Sequence, residues 1–427
     1  MKKVGLVLLC VMMTVVIVLG VGGCKKETSD LEQMDMLSSA LNLIKQHYIG
    51  ELDIDELDFV AAEAVIDSLD QYTYLTDTYY TQSSNSNIGV SIRTNRYNEH
   101  FISNIVSGFP ADEAFEDGFK LQRGDELYGI TNSNLLDENG EPIFYRVRGL
   151  SRSYISTYTA GGEGTVLTLR IVRNGVLMGD YAYTKVTGYM PRAEFIADVY
   201  GDGSNVGYIS LSSFTKTQMP DGTVMSAAND FKACMEQFIE ANQTKLIVDL
   251  RANGGGSTDD LSIIASYFVP LESKGTTEIL QLLYKKTGKT VSINVREDNY
   301  IPDLPLVILC DNNTASAAEA FIGACRAYNK NNTTVIGQET YGKGVFQKTE
   351  AIYDKTETSG ATGILDQYYV VLVNGYYYIV DPSVEGGKYN IHEQPLKPDV
   401  EVVKDESIGA LIDDAEMIAA YKAFFGE

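Results

Sequence analysis

Four short aliphatic runs in the second half of the chain, "VGYISL" (206–211), "KLIVDL" (245–250), "LVILC" (306–310) and "TTVIG" (333–337), limit the fold most. Each has the length of a strand and is apolar at nearly every position, so each needs cover on both faces. "AANDFKACMEQFIEAN" (227–242) and "LSIIASYFV" (261–269) lie between them as amphipathic helices. Strands that alternate with helices indicate an α/β domain with an at least partly parallel sheet. "QYYVVLVNGYYYIV" (367–380) reads as a Tyr-rich hairpin turning at Asn374-Gly375. This domain is assigned residues 189–427.

Upstream the period changes. From Ile88 to about residue 188, "IGVSI" and "FISNIV" alternate, "GFPADEAF" is a turn into a short helix, and "LQRGDELYGI" a turn into a strand. "GGEGTVLTLRIVRNGV" adds a hairpin with an Asn174-Gly175 turn. The order is similar to a PDZ domain of the circularly permuted bacterial kind, with "LLDENGEPIFYRVRGL" enlarging the segment after "GDEL". In such a domain a peptide adds as a strand and its terminal carboxylate meets backbone amides, here those of Ile88, Gly89 and Val90. Residues 25–87 read as a polar tether and a helical segment. "MLSSALNLIKQHYI" aligns Leu37, Leu41, Ile44 and Tyr48, and "DELDFVAAEAVIDSL" aligns Leu57, Val60, Ala61, Ala64 and Leu69, as core-packing stripes.

At the start, Met1-Lys2-Lys3 precedes an apolar run that ends in Val21-Gly22-Gly23-Cys24. Small residues before a cysteine at the end of such a run resemble the bacterial lipobox. The resemblance implies that 1–24 is a lipoprotein signal peptide, that Cys24 carries lipid, and that the rest is exported and tethered to a bacterial membrane. An uncleaved anchor is the other reading, since about 20 apolar residues span a bilayer. Cys234, Cys310 and Cys325 are expected to be buried free thiols, and no ligand spacing suggests zinc or another metal. With 34 basic against 58 acidic residues the net charge is -24, a surface that repels nucleic acid.

"DNNTASAAEAF" (311–321) follows the buried run "LVILC" and sets Ser316 between alanines where a strand turns into a helix. A serine hydroxyl is a poor nucleophile unless a base takes its proton. The three histidines are His47, His100 and His392, none at a strand-to-helix turn, and only His392 offers a Ser-His-Asp alternative. A lysine can serve where burial disfavours its ammonium form. "ETYGKGVFQ" places Lys343 between Gly342 and Gly344, with Gln347 four residues on to hold the amine or the hydroxyl. The Ala317 amide at the helix start is one donor for an oxyanion. "LIVDLRANGGGSTDDL" brings a second: a strand ends in Asn253-Gly254-Gly255-Gly256, and a helix then opens with Ser257 as cap and Asp260 in its first turn. A phosphate cradle is the competing use of those glycines, but no Walker lysine follows.

In this order the pieces resemble the C-terminal processing peptidases, or tail-specific proteases. The resemblance covers nearly all of the exported chain: "HYIGELDIDELDFVAAEAVIDSLDQYTYL" for the N-terminal helical segment, an inserted PDZ-like domain, "VGYISLSSF" and "LIVDLRANGGG", "TASAAE" for the nucleophile, "GKGVFQ" for the lysine, and "LKPDV" near the end. It implies a crotonase-like α/β core with a mixed sheet and helices. It implies Ser316 as nucleophile, Lys343 as base, Gln347 orienting the base, and Gly256 and Ala317 as oxyanion donors, with protein or peptide substrates and no cofactor. Ala318 and Gly254 depart from the family's usual residues, and the C-terminal region is enlarged with tyrosines. A non-catalytic peptide-binding protein on the same scaffold and an esterase are the alternative functions. Ser213-Phe-Thr-Lys216 and Lys286-Thr287-Gly288 imitate the motifs of penicillin-recognising enzymes, but no S-D-N or Y-x-N lies between them.

Overall fold

The structure, a computed structural model, describes residues 54–76, 86–94, 98–150, 152–219, 222–351, 369–402 and 414–426, with positions 39–40, 43–44 and 411. The signal segment with Cys24, the tether, His47 and the stripe positions Leu37, Leu41 and Tyr48 lie outside the described residues. Met1–Ser68 and Leu69–Glu427 form two compact units.

In the first unit the helix α1 (Ile54–Asp67) leaves Val60 51% exposed and Ala64 exposed, so its stripe does not pack as a core. The stripe is poor in large side chains, and alanine buries little area. In the second unit Leu69 is also exposed. The helical pattern then ends: the Asp70 carboxylate accepts from the amides of Tyr72 and Thr73, turning the chain into the short strand β1 (Tyr74–Thr76). The segment 25–87, read as a tether and helices, thus also contains this short strand.

A β-rich body follows. It comprises β2 (Ser86–Asn87), β3 (Val90–Thr94), β4 (His100–Ile105), β5 (Glu126–Leu136), β6 (Pro142–Arg146), the helix α2 (Arg152–Tyr158), β7 (Val166–Arg173), β8 (Val176–Thr184) and β9 (Val186–Thr187). Its antiparallel sheet runs β3-β4-β5-β7-β8, with β6 also on β5, around Ile102, Leu127, Ile130, Leu169 and Ile171. Asn174 and Gly175 both have positive φ (51° and 76°), as the β7–β8 hairpin turn requires. The segment after "GDEL" forms the β5–β6 hairpin.

The rest is α/β. After β10 (Ala193–Ile196) come β11 (Val206–Leu211), β12 (Lys216–Gln218), β13 (Val224–Ser226), α3 (Ala227–Glu240), β14 (Lys245–Asp249), α4 (Thr258–Ala265), β15 (Thr277–Tyr284), β16 (Thr290–Val295), β17 (Leu306–Cys310), α5 (Ala317–Tyr328), β18 (Thr333–Gly337), β19 (Val345–Ala351), β20 (Tyr369–Val380), β21 (Lys388–Tyr389), β22 (Val400–Glu401) and α6 (Ala415–Phe425). One sheet runs β10-β11-β14-β17-β18-β22, parallel from β11 onward. On one face Ile209, Leu246, Val248 and Ile308 meet α3, α4 and α5; on the other Tyr208, Ile247 and Leu309 meet Met417 and Ala420 of α6. The aliphatic runs are therefore covered on both sides. Cys234, Cys310 and Cys325 are buried free thiols.

The second sheet centres on β20, which pairs with β15, β1, β19 and β21. The hairpin expected at Asn374-Gly375 does not form, and β20 runs straight through it. A two-residue hairpin turn needs positive φ, which neither residue has. Gly375 instead allows close approach: a Cβ there would lie 2.0 Å from the Leu283 carbonyl oxygen of β15.

Candidate active site

Because β14, β17 and β18 run parallel, the loops leaving their carboxyl ends gather at one edge of the sheet, the usual place for a site in such folds. These loops are 250–257, 311–316 and 338–344. Asn253, fully buried, ties the first to its neighbours: its side chain donates to Leu211 O at 2.7 Å and its carbonyl accepts from Ala315 N at 2.9 Å. Thr314 Oγ1 donates to Leu250 O at 2.9 Å, and Tyr341 N donates to Thr314 O at 2.9 Å.

Ser316 stands at the N-cap of α5 with φ 58° and ψ −119°. A non-glycine residue there is strained, and such strain at a strand-to-helix turn exposes a side chain in the manner of a nucleophile elbow. Three contacts hold the turn. Ser316 N donates to Glu319 Oε2 at 2.8 Å, Tyr377 Oη donates to Ser316 O at 3.1 Å, and Ala320 N donates to the same carbonyl at 2.9 Å.

Glu319 is fully buried and joins the serine loop to the lysine loop. Its Oε2 also accepts from Lys343 N at 2.9 Å, so the backbone nitrogens of Ser316 and Lys343 lie one oxygen atom apart. Its Oε1 accepts from Thr340 Oγ1 at 2.6 Å and from Gly342 N at 2.7 Å. Burial raises its carboxyl above the usual range, and these four donors oppose the rise. Glu319 lies inside the "TASAAE" motif, but no role was assigned to it from sequence. The S-x-x-E spacing at a helix start is the signal that could have found it.

Lys343 is half-buried, and burial lowers the pKa of its amine while the Glu319 charge partly restores it. Its Nζ donates to Gln347 Oε1 at 2.7 Å and lies 5.3 Å from the centre of the Tyr72 ring. Gln347 Nε2 in turn donates to the Tyr72 carbonyl. Of the glycines beside Lys343, Gly344 is required by crowding, since a Cβ there would lie 2.3 Å from His392 N, and Gly342 by its φ of 83°. The closing segment "LKPDV" braces the same loop: Thr340 N donates to Leu396 O at 3.1 Å, and Leu396 N to Thr340 Oγ1 at 2.9 Å.

The glycine loop meets the serine from the other side. A Cβ on Gly255 would lie 2.7 Å from Ala317 N and 2.8 Å from Ser316 Cβ. Gly255 N is taken by Asn253 Oδ1 at 2.9 Å. Phe214 N donates to Gly255 O and Ser257 N to Phe214 O, which turns the intervening Gly256 N–H away from Phe214. Among the described residues neither Gly256 N nor Ala317 N has a protein acceptor. Ser257 caps α4 as expected, accepting from Asp259 N and Asp260 N.

The remaining candidates fall elsewhere. His100 is buried in the β-rich body, bonded to Thr94 and to the Val147 and Leu150 carbonyls. His392 lies against the Tyr72 and Tyr376 rings, and its buried Nδ1 has no partner among the described residues. Ser213 pairs with Thr215, and Lys216 forms an ion pair with Asp259, so the S-x-x-K imitation is a surface arrangement. Of the expected carboxylate loop, Gly89 N donates to Asn87 Oδ1 at 2.8 Å, while the Ile88 and Gly89 carbonyls accept from Ala111 N and Val106 N. The next strand, β3, is an edge strand of its sheet.

The model of peptidase family S41 matches residues 205–402, the span that contains every one of these core loops. That span, less than half of the chain, is similar to peptidase family S41. The S41 span starts at the parallel sheet and ends at β22, leaving β1 and the β-rich body outside it. The chain is 27% identical over 345 residues to the carboxy-terminal processing protease CtpA of Bacillus subtilis (strain 168), covering 79% of this chain and 65% of that protein. It is 23% identical over 337 residues to a CtpA-like serine protease of Staphylococcus aureus (strain COL), covering 76% and 60%. It thus spans less than two thirds of the length of either relative. A solved candidate S41 protease from Bacteroides fragilis NCTC 9343 shares the fold, with a TM-score of 0.56, 20% identity and coverage of 89% of this chain and 91% of that one.

Proposed function

We propose that this protein is a serine endopeptidase that uses Ser316 as nucleophile and Lys343 as general base. The observation that carries the reading is the shared Glu319 carboxylate, which brings a strained serine and a half-buried lysine of lowered pKa to one spot. Neutral Lys343 takes the hydroxyl proton as Ser316 Oγ attacks the scissile carbonyl. The unclaimed amides of Gly256 and Ala317 receive the oxyanion, and the ammonium returns its proton to the leaving amine. Gln347 keeps the amine in place through its 2.7 Å hydrogen bond. Because only the neutral amine is a base, activity rises with pH through a value below the usual lysine range of about 10.4.

In this proposal the β-rich body is a PDZ-like module that selects C-terminal tails of protein substrates. Its edge strand β3 is open to strand addition, and a tail carboxylate displaces Asn87 Oδ1 to reach the amides of Ile88, Gly89 and Val90. The enzyme works outside the cytoplasm, held to a bacterial membrane by lipid on Cys24. The test is to incubate residues 25–427, wild type and Ser316→Ala, with an unstructured protein ending in an apolar tail, free or amidated, and to map the fragments. The proposal expects cleavage by the wild type alone and preference for the free tail. Equal fragments from both proteins would refute the Ser-Lys reading, and equal cleavage of both tails would refute the PDZ role.

A further inference from the structure

The span matched by the S41 model does not contain everything its base rests on. Gln347 accepts from Lys343 Nζ with one end of its amide and donates to the Tyr72 carbonyl with the other. That carbonyl lies in the segment 70–76, well upstream of residue 205. The segment is built to hold it still. Asp70 Oδ1 accepts from Tyr72 N and Thr73 N at 2.8 Å each, and Asp70 Oδ2 accepts from Thr73 Oγ1 at 2.9 Å. Val373 N donates to Thr73 Oγ1 at 3.3 Å, and β1 pairs with residues 369–371 of β20. Tyr72 is only 8% exposed, and its ring lies over the Lys343 amine.

An amide side chain can present its oxygen or its nitrogen to a lysine. Only the oxygen accepts from an ammonium or an amine N–H; a flip would set two donors against each other when the lysine is charged, and in either state would set the amide oxygen against the Tyr72 carbonyl oxygen. The Tyr72 carbonyl accepts the Gln347 nitrogen and so leaves the Gln347 oxygen facing Lys343. We infer that Asp70 and Tyr72 are positioning residues for the base: Asp70 fixes the Tyr72 carbonyl, that carbonyl fixes the orientation of Gln347, and the Tyr72 ring shuts water from the amine. The inference rests on the Ser316–Lys343 reading above and adds a strap from outside the matched core as a working part of it. Glu319, the phenols of Tyr72, Tyr341 and Tyr377, His392 and Glu393 are the titratable groups around the amine and this ring.

The test compares Asp70→Ala, Asp70→Asn, Tyr72→Ala and Tyr72→Phe in the chain from residue 25, each checked for folding by circular dichroism. Two readouts are used: the pH dependence of kcat on a peptide, and the pH dependence of Lys343 acylation by a small amine-reactive reagent, followed by mass spectrometry. Asp70→Ala and Tyr72→Ala are expected to lower kcat on the order of tenfold to a hundredfold with little change in KM, because a misplaced base acts on the chemical step. Both are expected to move the limb of the profile and the acylation midpoint toward free lysine. Asn can still accept the two backbone amides and Phe still covers the amine, so Asp70→Asn and Tyr72→Phe keep both values near wild type. Folded alanine variants with unshifted Lys343 acylation overturn the inference. Because that readout needs no turnover, it stands even if Ser316→Ala shows that the protein is not a peptidase.

Discussion

In the proposed mechanism Lys343 must give up its proton more readily than most lysines, and the surroundings that lower its pKa cost stability. Burial is the larger influence on its amine and lowers the pKa; the Glu319 carboxylate opposes it. The sign follows from linkage. Below the folded pKa the native state must hold an ammonium out of water, and the penalty disappears only as pH rises through the window up to the unfolded value near 10.5. At neutral pH the lysine is therefore a net burden. Lys343→Met, similar in length and apolar, is expected to raise the melting temperature at pH 7 while cutting peptide cleavage on the order of 10²–10⁴-fold, the usual contribution of a general base. Calorimetry beside a fragment assay checks both. A variant less stable than wild type would mean that the amine's bond to Gln347 outweighs its desolvation. Glu319 shows the opposite economy: it is a buried carboxylate satisfied four times over, and its value lies in joining two loops.

At the scale of the element, α4 shows how one helix start can serve two needs. Ser257 caps it and pins the glycine loop to Phe214, which leaves the Gly256 amide without a protein acceptor among the described residues. Asp260 in its first turn is 1% exposed, its Oδ2 has no partner among the described residues, and burial pushes its pKa up to about 6, with Lys216 opposing and Asp259 and Asp230 adding to the rise. A carboxyl raised in the folded state favours folding when protonated. This group's effect is therefore neutral below the unfolded value of 3.8, and its penalty grows as pH climbs to about 6 and is complete above it. Asp260→Asn is expected to stabilise the protein at pH 7.5. The shift corresponds to at most about 3 kcal/mol, and screening by nearby solvent reduces the expected gain to roughly 1–2 kcal/mol. The gain should shrink as pH falls toward 4. Urea unfolding at the two pH values measures it, and a constant difference would assign the effect to packing rather than charge.

Across the whole molecule, what the sequence made legible was what local chemistry encodes. The aliphatic runs, the Ser257 cap, the Asn174-Gly175 turn and the loops that bear Ser316 and Lys343 each announce themselves within a dozen residues, and all occur as read. Asn374-Gly375 has equally good turn chemistry, yet pairing with β15 and β19 on its two sides keeps the strand straight. Tyr72 gives no local sign that its carbonyl will serve a glutamine 275 residues away. The same holds for Arg251, which sequence reading passed over. It is 3% exposed by side chain, pairs with Asp249 at 2.6 Å, and reaches Asp414 at 3.2 Å and Glu416 at 3.3 Å at the start of α6. Asp414 also meets Arg123 of the β-rich body at 3.3 Å, so one cluster ties the glycine-loop strand, the last helix and the other body together. The two arginines should not be equivalent. Arg123→Ala removes a partly solvated pair and is expected to cost less than about 1 kcal/mol. Arg251→Met removes the buried cation that Asp249, Asp414 and Glu416 share and is expected to cost about 3–5 kcal/mol. Denaturant midpoints at pH 7.5 for both variants decide the matter. Equal losses would make the cluster a joint between bodies, whereas the expected disparity makes it a brace inside the core.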